Sequence, residues 1–200
     1  GFWYLLRVAQ VDQVFRRRVR HFLIRRNADL EVTACKPWAT EEQYEREFLE
    51  AHARLTAAGY AHYEVSNFAG SGGRSRHNGS YWRGVPYAGL GPSAHEFDGQ
   101  VRRWNVAPYA EWLRRLRNGA DPAEGRETLT AENRAAEAVY LGLRTSDGLL
   151  LVGDAERSRV VPWIEAGWAT LAGDRLTLTA TGWLRLDALA ADLTLIRSRC

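Results

Sequence analysis

The sequence predicts an α/β fold: the end of a parallel barrel or sheet, followed by a small winged-helix-like domain. Three observations predict it. A capped amphipathic helix at 40–58 leads straight into a short β-prone segment at 61–68, which is one αβ unit. The stretch from 69 to 98 is rich in Gly, Ser and Arg, lacks a clear period, and is too long for a plain connector. Beyond 127 the order becomes helix, helix, hairpin, helix. The predicted organisation is therefore a poorly readable segment at 1–39, a barrel-like part at 40–119 and a winged-helix-like part at 127–195.

Composition narrows the function classes. The apolar share of 46% suits a packed globular core. No run approaches the roughly 18 uncharged apolar residues that span a bilayer, and the apolar start at Gly1 has no secretory-signal pattern. A cytoplasmic protein is expected. Two cysteines, Cys35 and Cys200, form no disulfide framework and are too few for an iron–sulfur cluster. Methionine is absent, position 1 included, so a piece of a longer chain is expected. All of the 27 basic residues except Lys36 are arginine. That fits either carboxylate and phosphate recognition or biased codon usage.

The elements follow in order. Residues 1–39 carry a basic run from Arg16 to Arg26 with neither helical nor strand period. Thr40-Glu-Glu-Gln43 is a capping box, in which the Gln side chain is expected to reach back to the cap. Its helix places Tyr44, Phe48, Ala51, Leu55 and Ala58 on one face and stops at Gly59. Residues 61–68 read as one strand. Val101–Asn105 reads as a short strand, and Pro108 as the first helical residue of a helix ending at Asn118-Gly119. Residues 120–126 read as a linker. Thr130 caps a helix to about Leu143, and a second helix covers Glu156–Ala166. A hairpin turns at Gly173-Asp174, and Thr181 caps a last helix carrying Trp183, Leu186, Ala190 and Leu193.

Three sites have the residue types for chemistry. His77-Asn78-Gly79-Ser80-Tyr81-Trp82 places an imidazole on a Gly-containing loop, able to meet a metal such as haem iron. Tyr81 and Trp82 offer flat apolar faces to a porphyrin, and Arg74, Arg76 and Arg83 offer guanidinium groups to its carboxylates. The same residues equally serve a hydrogen-bonded surface loop anchored by aromatics. Gly89-Leu-Gly-Pro-Ser-Ala-His95 lets backbone approach a ligand, or is a tight turn. Glu64 and Asn67 stand at the end of the 61–68 strand, where barrel active sites lie, or act as edge polar groups.

Order and spacing join these sites. Tyr63-Glu-Val-Ser-Asn-Phe-Ala69, Arg76-His-Asn-x-x-Tyr-Trp82 and Tyr87-x-Gly-Leu-Gly-x-x-Ala-His95 together resemble the second half of radical-SAM proteins. The family is that of the oxygen-independent coproporphyrinogen III oxidase-like proteins. The resemblance covers roughly residues 41–195 and takes in Ile164-Glu-Ala-Gly-Trp168 and Leu178-Thr-x-x-Gly182. It implies a partial (β/α) radical-SAM barrel and a small C-terminal domain. The His-Asn-x-x-Tyr-Trp element resembles the haem-chaperone (HemW-type) branch, whereas the oxidase has an apolar residue in place of His95.

That branch implies haem, bound and handed to haem-accepting proteins, with His77 as the metal ligand and Asn78, Tyr81 and Trp82 beside it. Ala94 and His95 match the place where the oxidase backbone approaches the adenine of S-adenosylmethionine. The [4Fe-4S] cluster and S-adenosylmethionine are expected only in the full-length protein, because the Cys-x-x-x-Cys-x-x-Cys motif is absent here. Glu96 stands where the chaperones usually have Gly, and residues 1–39 do not match the family. The alternatives are oxidative decarboxylation of coproporphyrinogen III and a winged-helix nucleic-acid module. Against the latter, Arg157 and Arg159 are balanced by Glu156 and Glu165 on the same predicted helix.

Overall fold

The computed structural model describes residues 40–198; the segment 1–39, Cys35 and Cys200 lie outside them. Two compact units divide the chain, residues 1–48 and 49–200. Among the described residues every strand pairing is antiparallel.

Helix α1 spans Glu41–Ala57. Thr40 Oγ1 accepts the Gln43 N–H at 3.2 Å, which is half of the expected capping box. The other half is absent: Gln43 Nε2 donates to Glu47 Oε1 at 2.7 Å, the charged acceptor one turn along. In its second half the less exposed side chains are His52 and Leu55, while Ala51 and Ala58 are exposed.

The predicted single strand at 61–68 is a hairpin, β1 (Ala61–Glu64) and β2 (Asn67–Ala69). The reversal at Val65-Ser66 has a tertiary cause. The Val65 N–H leaves the ladder for the carbonyl of Arg144 at 3.1 Å, and Ser146 N–H closes on the Tyr63 carbonyl at 2.9 Å. The aperiodic stretch then holds helix α2 (Arg76–Trp82), whose N-cap Ser75 accepts the Asn78 N–H at 3.2 Å. So short a helix, with Asn and Gly inside it, has little propensity of its own and rests on its cap and its packing.

Strands β3 (His95–Phe97), β4 (Val101–Asn105) and β5 (Ala123–Thr128) form one sheet in that order. Strand β5 occupies most of the predicted linker. Gly125 faces Trp104 across the pair, and the indole fills the space a Cβ would take. A glycine that reads as loop in sequence is therefore the counterpart of a large ring. Helix α3 (Tyr109–Arg117) follows Pro108, which is its N-cap rather than its first helical residue.

The remaining elements are α4 (Ala131–Arg144), β6 (Leu149–Leu150), α5 (Gly153–Glu165), β7 (Ala169–Ala172), β8 (Arg175–Leu178), α6 (Ala180–Trp183) and α7 (Leu186–Arg197). Thr130 caps α4 by accepting the Asn133 N–H at 3.1 Å. Strands β6, β8 and β7 pair in that order, with the hairpin turning at Gly173-Asp174 as predicted. Thr181 does not cap the last helix. Thr179 caps the single turn α6 through the Gly182 N–H at 3.2 Å, and α7 starts separately at Leu186. Gly182 permits this because the Trp168 carbonyl sits where its Cβ would be.

Val139, Leu143, Val160, Leu176 and Leu193 are fully buried between α4, α5, α7 and this sheet. Burial of each is worth about 1.5–3 kcal/mol before entropy is counted. Glu156 is also buried, but its carboxylate takes the Val152 N–H at 2.7 Å and a fork from Arg197 at 2.6 and 2.7 Å. Burial alone would raise its pKa; the Arg197 fork and the Val152 N–H outweigh that and hold it below the usual range.

Candidate functional site

Helix α2 carries four of the sequence-predicted site residues and divides them between two faces. At 100° per residue, positions 77 and 81 share one face, while 76, 79, 82 and 83 share the other. On the first face the exposed His77 ring meets Tyr81 edge-on, with centroids 4.9 Å apart. Tyr81 in turn meets Tyr87 edge-on at 4.6 Å, and Tyr87 lies 6.3 Å from Phe97. The imidazole is braced from beneath and open to solvent.

Tyr87 ties this helix to the β3–β4–β5 sheet. Its backbone exchanges two hydrogen bonds with Phe97, at 2.8 and 2.9 Å. Burial raises the Tyr87 phenol pKa, reinforced by Tyr81 and Glu137. The Arg102 guanidinium lies 5.5 Å from the Phe97 ring centre and forks onto Glu137 at 3.0 and 3.2 Å. Burial nevertheless raises the Glu137 pKa against the pull of Arg102.

Trp82 faces the other way. The Arg144 guanidinium lies 4.3 Å from its ring centre, a cation–π distance. Arg144 Nη2 is 3.1 Å from Glu64 Oε2 and donates to Ser66 Oγ at 3.1 Å. Asn67 Nδ2 donates to Glu64 Oε1. Glu64 is fully buried, and the Trp82 indole N–H and Arg144 Nε find no hydrogen-bond partner among the described residues. Glu64 and Asn67, predicted as edge or barrel-end groups, thus form a buried cluster behind α2. Trp82 therefore does not share a wall with Tyr81. Asn78 contributes its backbone N–H to the Ser75 cap.

Ala94 and His95 open β3. Ala94 donates to Gly91 at 3.3 Å and accepts the Asn105 N–H at 2.9 Å. His95 is exposed and pairs across the sheet with Trp104, with ring centroids 6.1 Å apart. The preceding turn is strapped by Asn105, whose side-chain amide donates to the carbonyls of Gly89 at 3.2 Å and Gly91 at 2.9 Å. A Cβ on Gly89 would come within 2.8 Å of the His95 carbonyl group, so only glycine allows this approach. Ser93 holds a left-handed φ of 58° in the same turn. The link between His77 and His95 runs through Tyr87 and Phe97.

Two residues that brace the candidate site were not singled out in sequence. Asn105 ends an ordinary strand, and Arg144 ends an ordinary helix; neither carries a local signal. Among the described residues no group of three or more His, Cys, Asp or Glu is arranged to hold a metal ion. None of the described helices is long and apolar enough to cross a membrane.

No family model matches the chain. It is 42% identical over 143 residues to the heme chaperone HemW of Mycobacterium tuberculosis, covering 70% of this chain and 37% of that protein. It is 34% identical over 97 residues to the heme chaperone HemW of Bacillus subtilis, covering 48% of this chain and 26% of that protein. The chain thus spans less than two fifths of these relatives. In fold it is similar to coproporphyrinogen III oxidase (HemN) of Escherichia coli, a radical SAM enzyme. That match has a TM-score of 0.57 and 15% identity, over 79% of this chain and 42% of that one.

Proposed function

This chain belongs to the haem-chaperone (HemW-type) branch of the oxygen-independent coproporphyrinogen III oxidase-like radical-SAM family, and on that membership we propose that it binds haem through His77. The observation that carries the proposal is the posture of that residue. His77 is exposed on α2, and its ring is held edge-on by Tyr81, which is itself braced by Tyr87 and Phe97. An imidazole so fixed offers a ring nitrogen to haem iron with little side-chain entropy left to lose. Tyr81 supplies the apolar flank on that face. Asn78 and Trp82 support α2 from within, through the Ser75 cap and the Arg144 contact. Handing haem on to haem-accepting proteins, and a cytoplasmic location, belong to the same proposal.

The [4Fe-4S] cluster and S-adenosylmethionine are proposed for the full-length protein only. The described residues include no cysteine and no metal-binding group of side chains, so they do not fit the cluster, and no step here runs through it. Ala94 and His95 are proposed as the backbone that approaches S-adenosylmethionine, in a turn that Asn105 holds rigid.

The alternatives find less support. Oxidase chemistry is carried only by a fold likeness at 15% identity. A winged-helix-like reading of 127–195 offers no basic face on α5: Arg157 pairs with Asp174, and Arg159 forks onto Asp192 at 2.6 and 2.7 Å. Neutralised arginines release few counterions from a nucleic acid.

Haem titration into the wild type and His77→Ala tests the reading. The wild type should give a ligand-bound Soret band that the variant loses or shifts. An unchanged band in the variant removes His77 as ligand.

A further inference from the structure

The face of α2 turned away from His77 borders a cleft of about 250 Å³ between this helix, the end of α4 and the turn that follows it. Trp82, Tyr63 and Leu141 give it aromatic and apolar walls. Three arginines line it, Arg74, Arg76 and Arg83, against a single acidic residue, Asp147. Arg74 is committed to Asp147 at 2.9 Å. Arg76 and Arg83 make no ion pair with any described residue. The Arg83 guanidinium lies back along α2, with Nη1 3.1 Å from where a Cβ on Gly79 would be. The absence of a side chain at 79 leaves room for it there.

We infer that this cleft is an oxyanion subsite, in which Arg76 and Arg83 clamp a carboxylate or phosphate group of a ligand. Two unpaired forks above a flat apolar floor favour an anion attached to an organic body, because guanidinium binds carboxylate and phosphate bidentately and loses little hydration in doing so. The cleft and His77 occupy different faces of a helix about one diameter, roughly 10 Å, across. The anion therefore has two sources: a carboxylate arm of the tetrapyrrole proposed at His77, or a small free anion bound independently. Only the first rests on the haem reading.

The experiment uses the full 200-residue chain with haem, haem dimethyl ester and succinate as probes. Haem and its ester are followed by the Soret band, succinate by calorimetry. The variants are Arg76→Gln/Arg83→Gln, the paired Lys versions, and Arg117→Gln as a control for general loss of charge. If the tetrapyrrole is the source, the Gln pair weakens haem at least tenfold, and the ester binds wild type and variant alike. If a free anion is the source, the Gln pair weakens succinate at least tenfold and leaves haem unchanged. Either result supports the subsite, provided Arg117→Gln matches wild type; the Lys pair should fall between. Should the Gln pair fail to fold by circular dichroism, the Lys pair decides by the same criterion. The inference is overturned if variants and wild type bind haem and succinate alike, or if wild type neither binds succinate nor distinguishes haem from its ester. An unchanged Soret band in His77→Ala would remove the haem reading alone, with the succinate titration still testing the cleft.

Discussion

The guanidinium of Arg144 lies 4.3 Å from the centre of the Trp82 ring and 3.1 Å from the buried carboxylate of Glu64. One side chain at the end of α4 thus fixes both the back of α2 and the end of β1. The helix that presents His77 has seven residues and no buried side chain of its own, so its position depends on this contact and on Tyr87.

Arg144→Met should cost about 3–5 kcal/mol of stability, because it strands a fully buried carboxylate without its cation. Urea denaturation measures it. Adding Glu64→Gln should return part of the loss, since the stranded charge is then gone. A double variant no more stable than Arg144→Met would rule out the charge account.

His52 Nδ1 and His62 Nδ1 are 2.9 Å apart, so one ring must donate and the other accept. His62 is buried, stacked on Phe68 at 3.9 Å and edge-on to Trp183 at 4.5 Å, with its Nε2 3.4 Å from the Val65 carbonyl. Burial lowers its pKa from 6.5 to about 4, with repulsion from His52 adding to it. The folded state therefore binds fewer protons than the unfolded chain between these values. Stability should be full above pH 6.5 and fall as the pH drops towards 4, by at most about 3 kcal/mol. Thermal midpoints across that window check it. His62→Phe should flatten the curve, and an equally steep curve in that variant would refute the assignment.

Asn105→Ala should loosen the turn before β3, because it removes the amide that donates to both Gly89 and Gly91. The Gly89 carbonyl would be left to water or unpaired and the Gly91 carbonyl would keep only the Ala94 N–H at 3.3 Å, a cost of about 1–3 kcal/mol. Limited proteolysis should then cut within residues 85–95 sooner than in wild type, with α4 to α7 unaffected. Equal cutting rates would show that the turn holds itself.

Legibility in the sequence followed the range of the forces involved. Helices α1, α3, α4 and the β7–β8 hairpin were readable because caps, periods and turn residues act within a few positions. Helix α2 was not, since Asn78 and Gly79 oppose helix and only the Ser75 cap and distant packing make it one. Strand β5 was missed because Gly125 looks like loop until Trp104 is placed opposite it. The β1–β2 reversal was missed because its cause is a hydrogen bond from Val65 to Arg144, far along the chain.

What the sequence by itself determined was the order and spacing of the candidate site residues and the family they indicate, since motif spacing survives without coordinates. The tertiary structure alone decided how they divide in space. A helical step of 100° put His77 and Tyr81 on one side of α2 and Trp82 with Arg76 and Arg83 on the other. It also decided which polar groups are buried, because Glu64 meets Arg144 only when β1 and α4 pack together.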